Sequence, residues 1–257
     1  MKILKKTIVM FLKQLDLGSA VAVRLTKLTG KSKVAIHPKH IVNQTPWFVK
    51  YLQKQDKVLD LGCGNGQNTI KAAKKVKQII GADFDQKSLD IARISAKLKK
   101  IMNVKFETAN LETKLRYKDS QFSKVILLDV LEHLRKRDLI LGEIKRILKK
   151  DGFLILGVPN SQTSWKKLQR SVGLNSFSDP DHKIEYSENS LKSILNKNGF
   201  KIIHFGYGKY DTPLRGLFDV IGAFSIPIYE LTLAWRSKLV AKNHKEASGF
   251  EVVAIKK

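Results

Sequence analysis

The chain has 257 residues, 43% hydrophobic and 28% charged. That suits one generous globular domain, or one with an appended cap, and excludes a disordered or low-complexity polymer. The single cysteine, Cys63, excludes a disulfide framework. Lys and Arg number 48 against 23 Asp and Glu, a net charge of +25. Such a charge suits nucleic acid, anionic lipid or phosphorylated substrates, and equally a lysine-rich solvated surface, because the basic residues are spread along the chain.

At the N-terminus, Leu4, Ile8, Phe11, Leu12 and Leu15 fall at helical spacing, with Lys2, Lys5, Lys6 and Lys13 around them. The apolar run Thr7–Leu12 is shorter than the roughly 7–15 residues of a secretory signal and has no small-residue cleavage site. The expectation is a basic amphipathic helix that packs on the domain or lies on a membrane. Residues 1–55 read as an N-terminal helical cap, and residues 56–257 as the main domain. From Lys57 the rhythm changes. Lys57–Leu61, Gln78–Asp83, Val104–Thr108, Phe122–Leu128, Phe153–Val158, Phe200–Phe205 and Phe250–Ile255 are short apolar runs that read as buried strands. Helices are expected over Thr69–Val76, Ser88–Lys99, Asp138–Leu148, where Asp151-Gly152 closes the pattern, and Asn189–Asn196. Alternation of this kind implies βαβ crossovers and a mostly parallel sheet.

Residues 206–248, between the last two strands, are too many for a simple connection and read as an insertion with its own structure. Its apolar stretch Leu214–Trp235 is broken by Arg215, Asp219, Pro227 and Glu230. The uncharged part is half of the roughly 20 residues a spanning helix needs, so no transmembrane helix is expected.

The strongest motif follows the first strand: Asp60-Leu61-Gly62-Cys63-Gly64-Asn65-Gly66. Glycines are needed where the backbone turns tightly and approaches a ligand, and a following helix start offers N–H groups to an anion. Asp83 closes the second strand about 20 residues on, where an acid accepts hydrogen bonds from ribose hydroxyls. A lone GxGxG is weak; with strand, helix and acid in βαβ register it is specific.

These residues resemble the class I S-adenosylmethionine-dependent methyltransferases. VLDLGCGNG is similar to that family's first motif and IIGADFDQKSLDIAR to its second-strand segment. VKFETANLE is similar to the third and VILLDVLEHL to the fourth. The resemblance implies an α/β, Rossmann-like, doubly wound sheet of seven strands, six parallel and the last antiparallel. N-terminal helices and a helical insertion between strands six and seven would complete the fold. It implies an enzyme with S-adenosylmethionine as cofactor. Asp60, Gly62, Gly64 and Gly66 would surround the methionine part and sulfonium, with Cys63 a small loop residue. Asp83 would hold the ribose, Phe84 pack on adenine, Asn110 and Leu111 meet the adenine edge, and Asp129 line the pocket.

Methyl transfer to a hydroxyl or amine needs a base only if a proton must leave. The candidates are His133 in Leu131-Glu132-His133-Leu134 and His182 in Asp179-Pro180-Asp181-His182. For each, the competing reading is a structural histidine that holds a loop. Glu132-His133 alone is insufficient for a metal site, and none is expected. The fourth-strand segment and the stretch VPNSQTSW…DPDHKIEYSENSLKSILNKNGF resemble the branch acting on small molecules, quinone precursors, lipids or glycans. The acceptor is accordingly expected to be a small-molecule, lipid-linked or glycan oxygen or nitrogen. The enzyme is expected to be cytoplasmic, with the apolar and basic 206–248 segment capping the acceptor site or touching an anionic membrane peripherally. The +25 charge supports a second hypothesis, an RNA-binding protein or RNA methyltransferase. No RNA-binding module or aromatic-interleaved basic run accompanies it, so nucleic acid is the weaker expectation.

Overall fold

The computed structural model describes residues 2–16, 18–42 and 44–257, with the backbone alone at Lys2. The helices are α1 Lys2–Asp16, α2 Gly18–Leu28, α3 Gln67–Ala73, α4 Gln86–Leu98, α5 Arg137–Ile147, α6 Ser164–Ser171, α7 Glu188–Lys197, α8 Arg215–Phe224 and α9 Ile226–Lys242. The strands are β1 Lys57–Leu61, β2 Gln78–Asp83, β3 Val104–Thr108, β4 Phe122–Leu128, β5 Leu148–Pro159, β6 Phe200–Tyr207 and β7 Gly249–Lys256. They form one sheet in the order β3-β2-β1-β4-β5-β7-β6, with six strands parallel and β7 antiparallel. The fold class expected from the sequence is the one observed.

The chain packs as two compact units. One comprises residues 45–159, 181–206 and 250–257, and the other residues 1–44, 160–180 and 207–249. This grouping differs from a cut at residue 55. In the sheet unit, Phe48, Val49 and Leu52 join Val58, Ile79, Ile126 and Ile155 in one buried cluster with Ala72, Ala73 and Val76. Each large side chain fully buried there contributes about 1.5–3 kcal/mol, which ties residues 47–52 to the sheet.

The first four strands have the bounds expected. Burial on both faces makes β1, β2 and β4 near-continuous apolar runs, which glycine or an acid ends, whereas β3 at the sheet edge is only half-buried and alternates. β5 is longer than the run Phe153–Val158. The helix before it stops at Ile147, and Leu148 already pairs with Phe122. The register then shifts between Phe122 and Lys124, so that Lys124 pairs with Phe153. Asp151-Gly152 therefore lies inside an irregular strand entry instead of closing a helix.

In the helical unit, α2 and α8 approach at two glycines. A Cβ on Gly216 would stand 2.3 Å from the Leu15 carbonyl oxygen, and one on Gly18 would stand 2.8 Å from the Gly216 carbonyl oxygen. Asp219 of α8 is the polar centre of this unit. It accepts from the Ser19 hydroxyl at 2.5 Å and the Tyr229 hydroxyl at 2.9 Å, and pairs with His37 Nε2 at 3.1 Å. Burial pushes its carboxyl up, but these partners outweigh burial and hold it below the usual range. Among the described residues, no helix is long and apolar enough to cross a membrane.

Candidate functional site

The order β3-β2-β1-β4 places four strand ends side by side: Leu61, Asp83, Thr108 and Leu128. The chain winds outward one way through β1, β2 and β3, then the other way from β4. The β1/β4 boundary is a switch point, where open α/β sheets bind ligands.

The glycine loop sits there. The Gly62 and Cys63 N–H groups donate to the Ala82 carbonyl at 2.7 and 3.1 Å, and the Gly64 N–H donates to Asp83 Oδ2 at 2.7 Å. The Asp85 N–H donates to Asp83 Oδ1 at 2.9 Å. Asp83 thus shapes the loop. Each carboxylate oxygen carries two lone pairs, which leaves capacity for ribose hydroxyls.

The three glycines have different reasons. A Cβ on Gly62 would lie 2.3 Å from Val130 Cγ2, across the switch point. A Cβ on Gly66 would lie 2.7 Å from Ala92 Cβ and 2.9 Å from the Phe106 ring. A Cβ on Gly64, at φ +50°, would meet nothing within 4 Å. Of the three, only the Gly64 position faces open space, and its N–H is bonded to Asp83; this pairing of open backbone with a carboxylate is compatible with the expected donor.

The other expected cofactor residues are placed as follows. Phe84, at the end of β2, is 80% exposed, an aromatic face open for stacking. Asn110 and Leu111 follow β3, two strand spacings or about 10 Å from β1. The Asn110 Oδ1 accepts from the Glu112 N–H at 2.9 Å, which uses one of its two lone pairs. Leu111 is buried. Asp129 follows β4 at φ +56°, its N–H donating to the Gly157 carbonyl at 2.9 Å. A left-handed aspartate is uncommon, and such strain gathers at functional sites. Burial first, then the charges of Asp60 and Asp83, push the Cys63 thiol well up, away from the thiolate a nucleophile needs.

Asp60 is buried and reaches α3, accepting from the Thr69 hydroxyl at 2.6 Å. Burial raises its carboxyl to about 7, with the Thr69 bond opposing and Asp83 adding to the rise. An unfolded aspartate titrates near 3.9. Between about pH 4 and pH 7 the folded protein keeps a proton that the unfolded chain has lost. Stability therefore falls as pH rises through that window and levels off above it. Asp60→Asn removes this fall. Urea unfolding should show the variant gaining on the parent by a few kcal/mol, as an order of magnitude, between pH 4.5 and 8. A pH-independent difference would refute the assignment.

His133 ends a single 3-10 turn, Leu131–His133, directly after β4. The Lys183 and Ile184 N–H groups donate to the Glu132 carbonyl at 2.8 and 3.3 Å, and the Tyr186 N–H donates to the Pro159 carbonyl at 3.2 Å. These bonds hold residues 182–186 against the ends of β4 and β5, and the His133 and His182 rings meet edge to face at 4.6 Å. His182 Nδ1 lies 2.9 Å from Glu185 Oε1, and Nε2 lies 3.8 Å from Glu132 Oε1. Sequence reasoning proposed both histidines but missed Glu185 and gave Glu132 no role. The i,i+3 spacing of His182 and Glu185 was the available signal.

A family model described as "Methyltransferase domain" matches residues 52–208, more than half of the chain. An uncharacterised methyltransferase of Schizosaccharomyces pombe is 34% identical over 116 residues, 42% of this chain and 41% of that protein. A ubiquinone biosynthesis O-methyltransferase of Bartonella bacilliformis is 25% identical over 154 residues, 57% of this chain and 60% of that protein. The chain thus spans about two to three fifths of these curated relatives. A solved S-adenosylmethionine-dependent methyltransferase of Methanosarcina mazei shares the fold, with a TM-score of 0.58 and 20% identity over 84% of this chain and 99% of that one.

Proposed function

Because this chain belongs to the methyltransferase-domain family, we propose that it transfers a methyl group from S-adenosylmethionine to a hydroxyl oxygen of a small-molecule acceptor. The observation that carries this reading is one juxtaposition. Across the β1/β4 switch point the glycine loop touches Val130, and three residues on His133 faces His182. A donor cradle and a proton-accepting pair thereby share one sheet edge. The similarity to an enzyme named as an O-methyltransferase supports oxygen over nitrogen.

When bound, S-adenosylmethionine supplies a methyl carbon already activated by its sulfonium. The loop and Asp83 fix the donor's position, and Phe84 covers its base. Alignment of two reactants can supply up to about 7–11 kcal/mol of the barrier. In the transfer, the acceptor oxygen would bond to the methyl carbon while the carbon–sulfur bond breaks and its electron pair stays with sulfur. The His133/His182 pair would take the hydroxyl proton, with Glu185 orienting the His182 ring.

The test is label transfer from methyl-labelled S-adenosylmethionine into parallel panels of phenols and catechols, amines, and RNA. Ether-linked label in the hydroxyl panel is expected. Label confined to amines or RNA overturns the reading, as does the absence of calorimetric heat with S-adenosylhomocysteine.

A second reading concerns the membrane. Leu4, Ile8 and Phe11 share one face of α1 and are 65%, 51% and 64% exposed, with Lys5 and Lys6 exposed beside them. An uncovered apolar stripe among lysines suits an interfacial helix, and we propose peripheral attachment to anionic lipid. The protein should sediment with anionic vesicles at low salt and be released by high salt, and Phe11→Glu should abolish the effect. Protein that stays in the supernatant with anionic vesicles at low salt refutes it.

A further inference from the structure

The cluster around His182 holds more than a proton relay requires. Glu132, His182 and Glu185 are all buried, and two carboxylates converge on opposite nitrogens of one imidazole. The 2.9 Å contact of Nδ1 with Glu185 is a hydrogen bond. The 3.8 Å separation of Nε2 from Glu132 is too long for one. A ligating atom from each of Glu132, His133 and His182 lies within 4.8 Å of the other two. Around a tetrahedral zinc ion, with bonds of about 2.0–2.2 Å, ligand atoms stand roughly 3.4 Å apart. The cluster is therefore gathered to within about 1.4 Å of coordination geometry.

We propose that Glu132, His133 and His182 bind a divalent transition-metal ion of the zinc class, with Glu185 as the outer carboxylate that orients His182. Three points carry the assignment. The Nδ1 contact with Glu185 fixes the tautomer that turns the Nε2 lone pair toward Glu132, the carboxylate–histidine–metal arrangement of known sites. Two imidazoles and one carboxylate suit zinc, cobalt or iron(II) rather than magnesium or calcium, which take all-oxygen shells. Three protein ligands leave a fourth position open, as in catalytic rather than structural sites. An acceptor hydroxyl in that position would lose its proton at neutral pH, because the ion stabilises the oxygen anion. That role rests on the O-methylation reading and would replace the imidazole pair as the means of removing the proton, which would then leave to water, because metal-bound ring nitrogens have no lone pair to accept it; the binding of the ion does not rest on that reading.

The experiment uses the full chain, stripped with a chelator and titrated with Co2+, then with Zn2+ in competition with a chromophoric chelator. One ion per chain is expected, with the visible absorption of a low-coordinate cobalt site. His182→Ala and His133→Ala should each weaken binding by about 100-fold or more, and Glu185→Gln by about 10–100-fold. His133 is half-exposed, so its variant tests the site even if a buried substitution fails to fold. S-adenosylhomocysteine binding, measured on the same samples, reports an intact fold and cofactor site. A chain that binds S-adenosylhomocysteine but takes up no stoichiometric metal overturns this proposal and leaves the functional reading standing. So does metal uptake that the folded His133→Ala and Glu185→Gln variants leave unchanged. A chain that takes up metal but no S-adenosylhomocysteine overturns the functional reading alone.

Discussion

Replacing His182 or His133 by alanine should leave S-adenosylhomocysteine affinity unchanged and cut turnover by about 10²–10⁴-fold, the range for loss of a positioned proton acceptor. His182 is the more sensitive position, because its ring is buried and is oriented by Glu185 at 2.9 Å from Nδ1. Single-turnover label transfer with donor saturating separates chemistry from binding. Glu185→Gln should be milder: glutamine keeps a polar partner for Nδ1 but loses the charge that favours one tautomer. Its pH–rate profile should shift along with its rate, whereas a merely structural glutamate would change stability and leave the profile in place. Unchanged turnover in both alanine variants would reduce the pair to loop-holding residues.

The glycine loop carries the second large effect, and here two neighbouring positions should behave differently. Gly64→Val adds a side chain into space that nothing in the protein occupies. The cost to the fold is the strain of a left-handed valine, about 1–2 kcal/mol. The cost to the donor is its place, so affinity should fall by about 100-fold or more, worth about 2.7 kcal/mol. Gly66→Val meets Ala92 and the Phe106 ring at 2.7 and 2.9 Å. Overpacking adds about 1–3 kcal/mol to similar backbone strain, so its melting temperature should drop by roughly 10 °C, at about 2–4 °C per kcal/mol for a chain this size. Calorimetry with S-adenosylhomocysteine and thermal melts on both variants decide the matter. Normal donor binding by folded Gly64→Val would show that the open side of the loop is not the donor site.

The strand pattern and donor loop were legible in the sequence because both depend on local rules. A strand buried on two faces must be a short apolar run, and Lys57–Leu61 or Phe122–Leu128 has no other way to satisfy the sheet. A loop with φ +69° at Gly62 and +50° at Gly64 favours glycine at both positions. Where local rules compete, tertiary pairing decides. Asp151-Gly152 carries a helix-stop composition, yet the pairing of Leu148 with Phe122 draws those residues into a strand.

The sequence by itself determined the fold class and the place of the glycine loop after the first strand. Only the tertiary structure decided that the two histidines meet. His133 and His182 lie on separate segments, and the backbone bonds from Lys183 and Ile184 to the Glu132 carbonyl bring them within 4.6 Å. No periodicity or spacing encodes that meeting. The same holds for the helical unit, where residues 1–44 and 207–249 form one body. Gly18 and Gly216 let α2 and α8 close on each other, and Asp219 gathers Ser19, His37 and Tyr229 from three segments. Hydrogen bonds and close packing act over a few ångströms in space whatever the distance along the chain, so those partnerships exist only once the chain has folded.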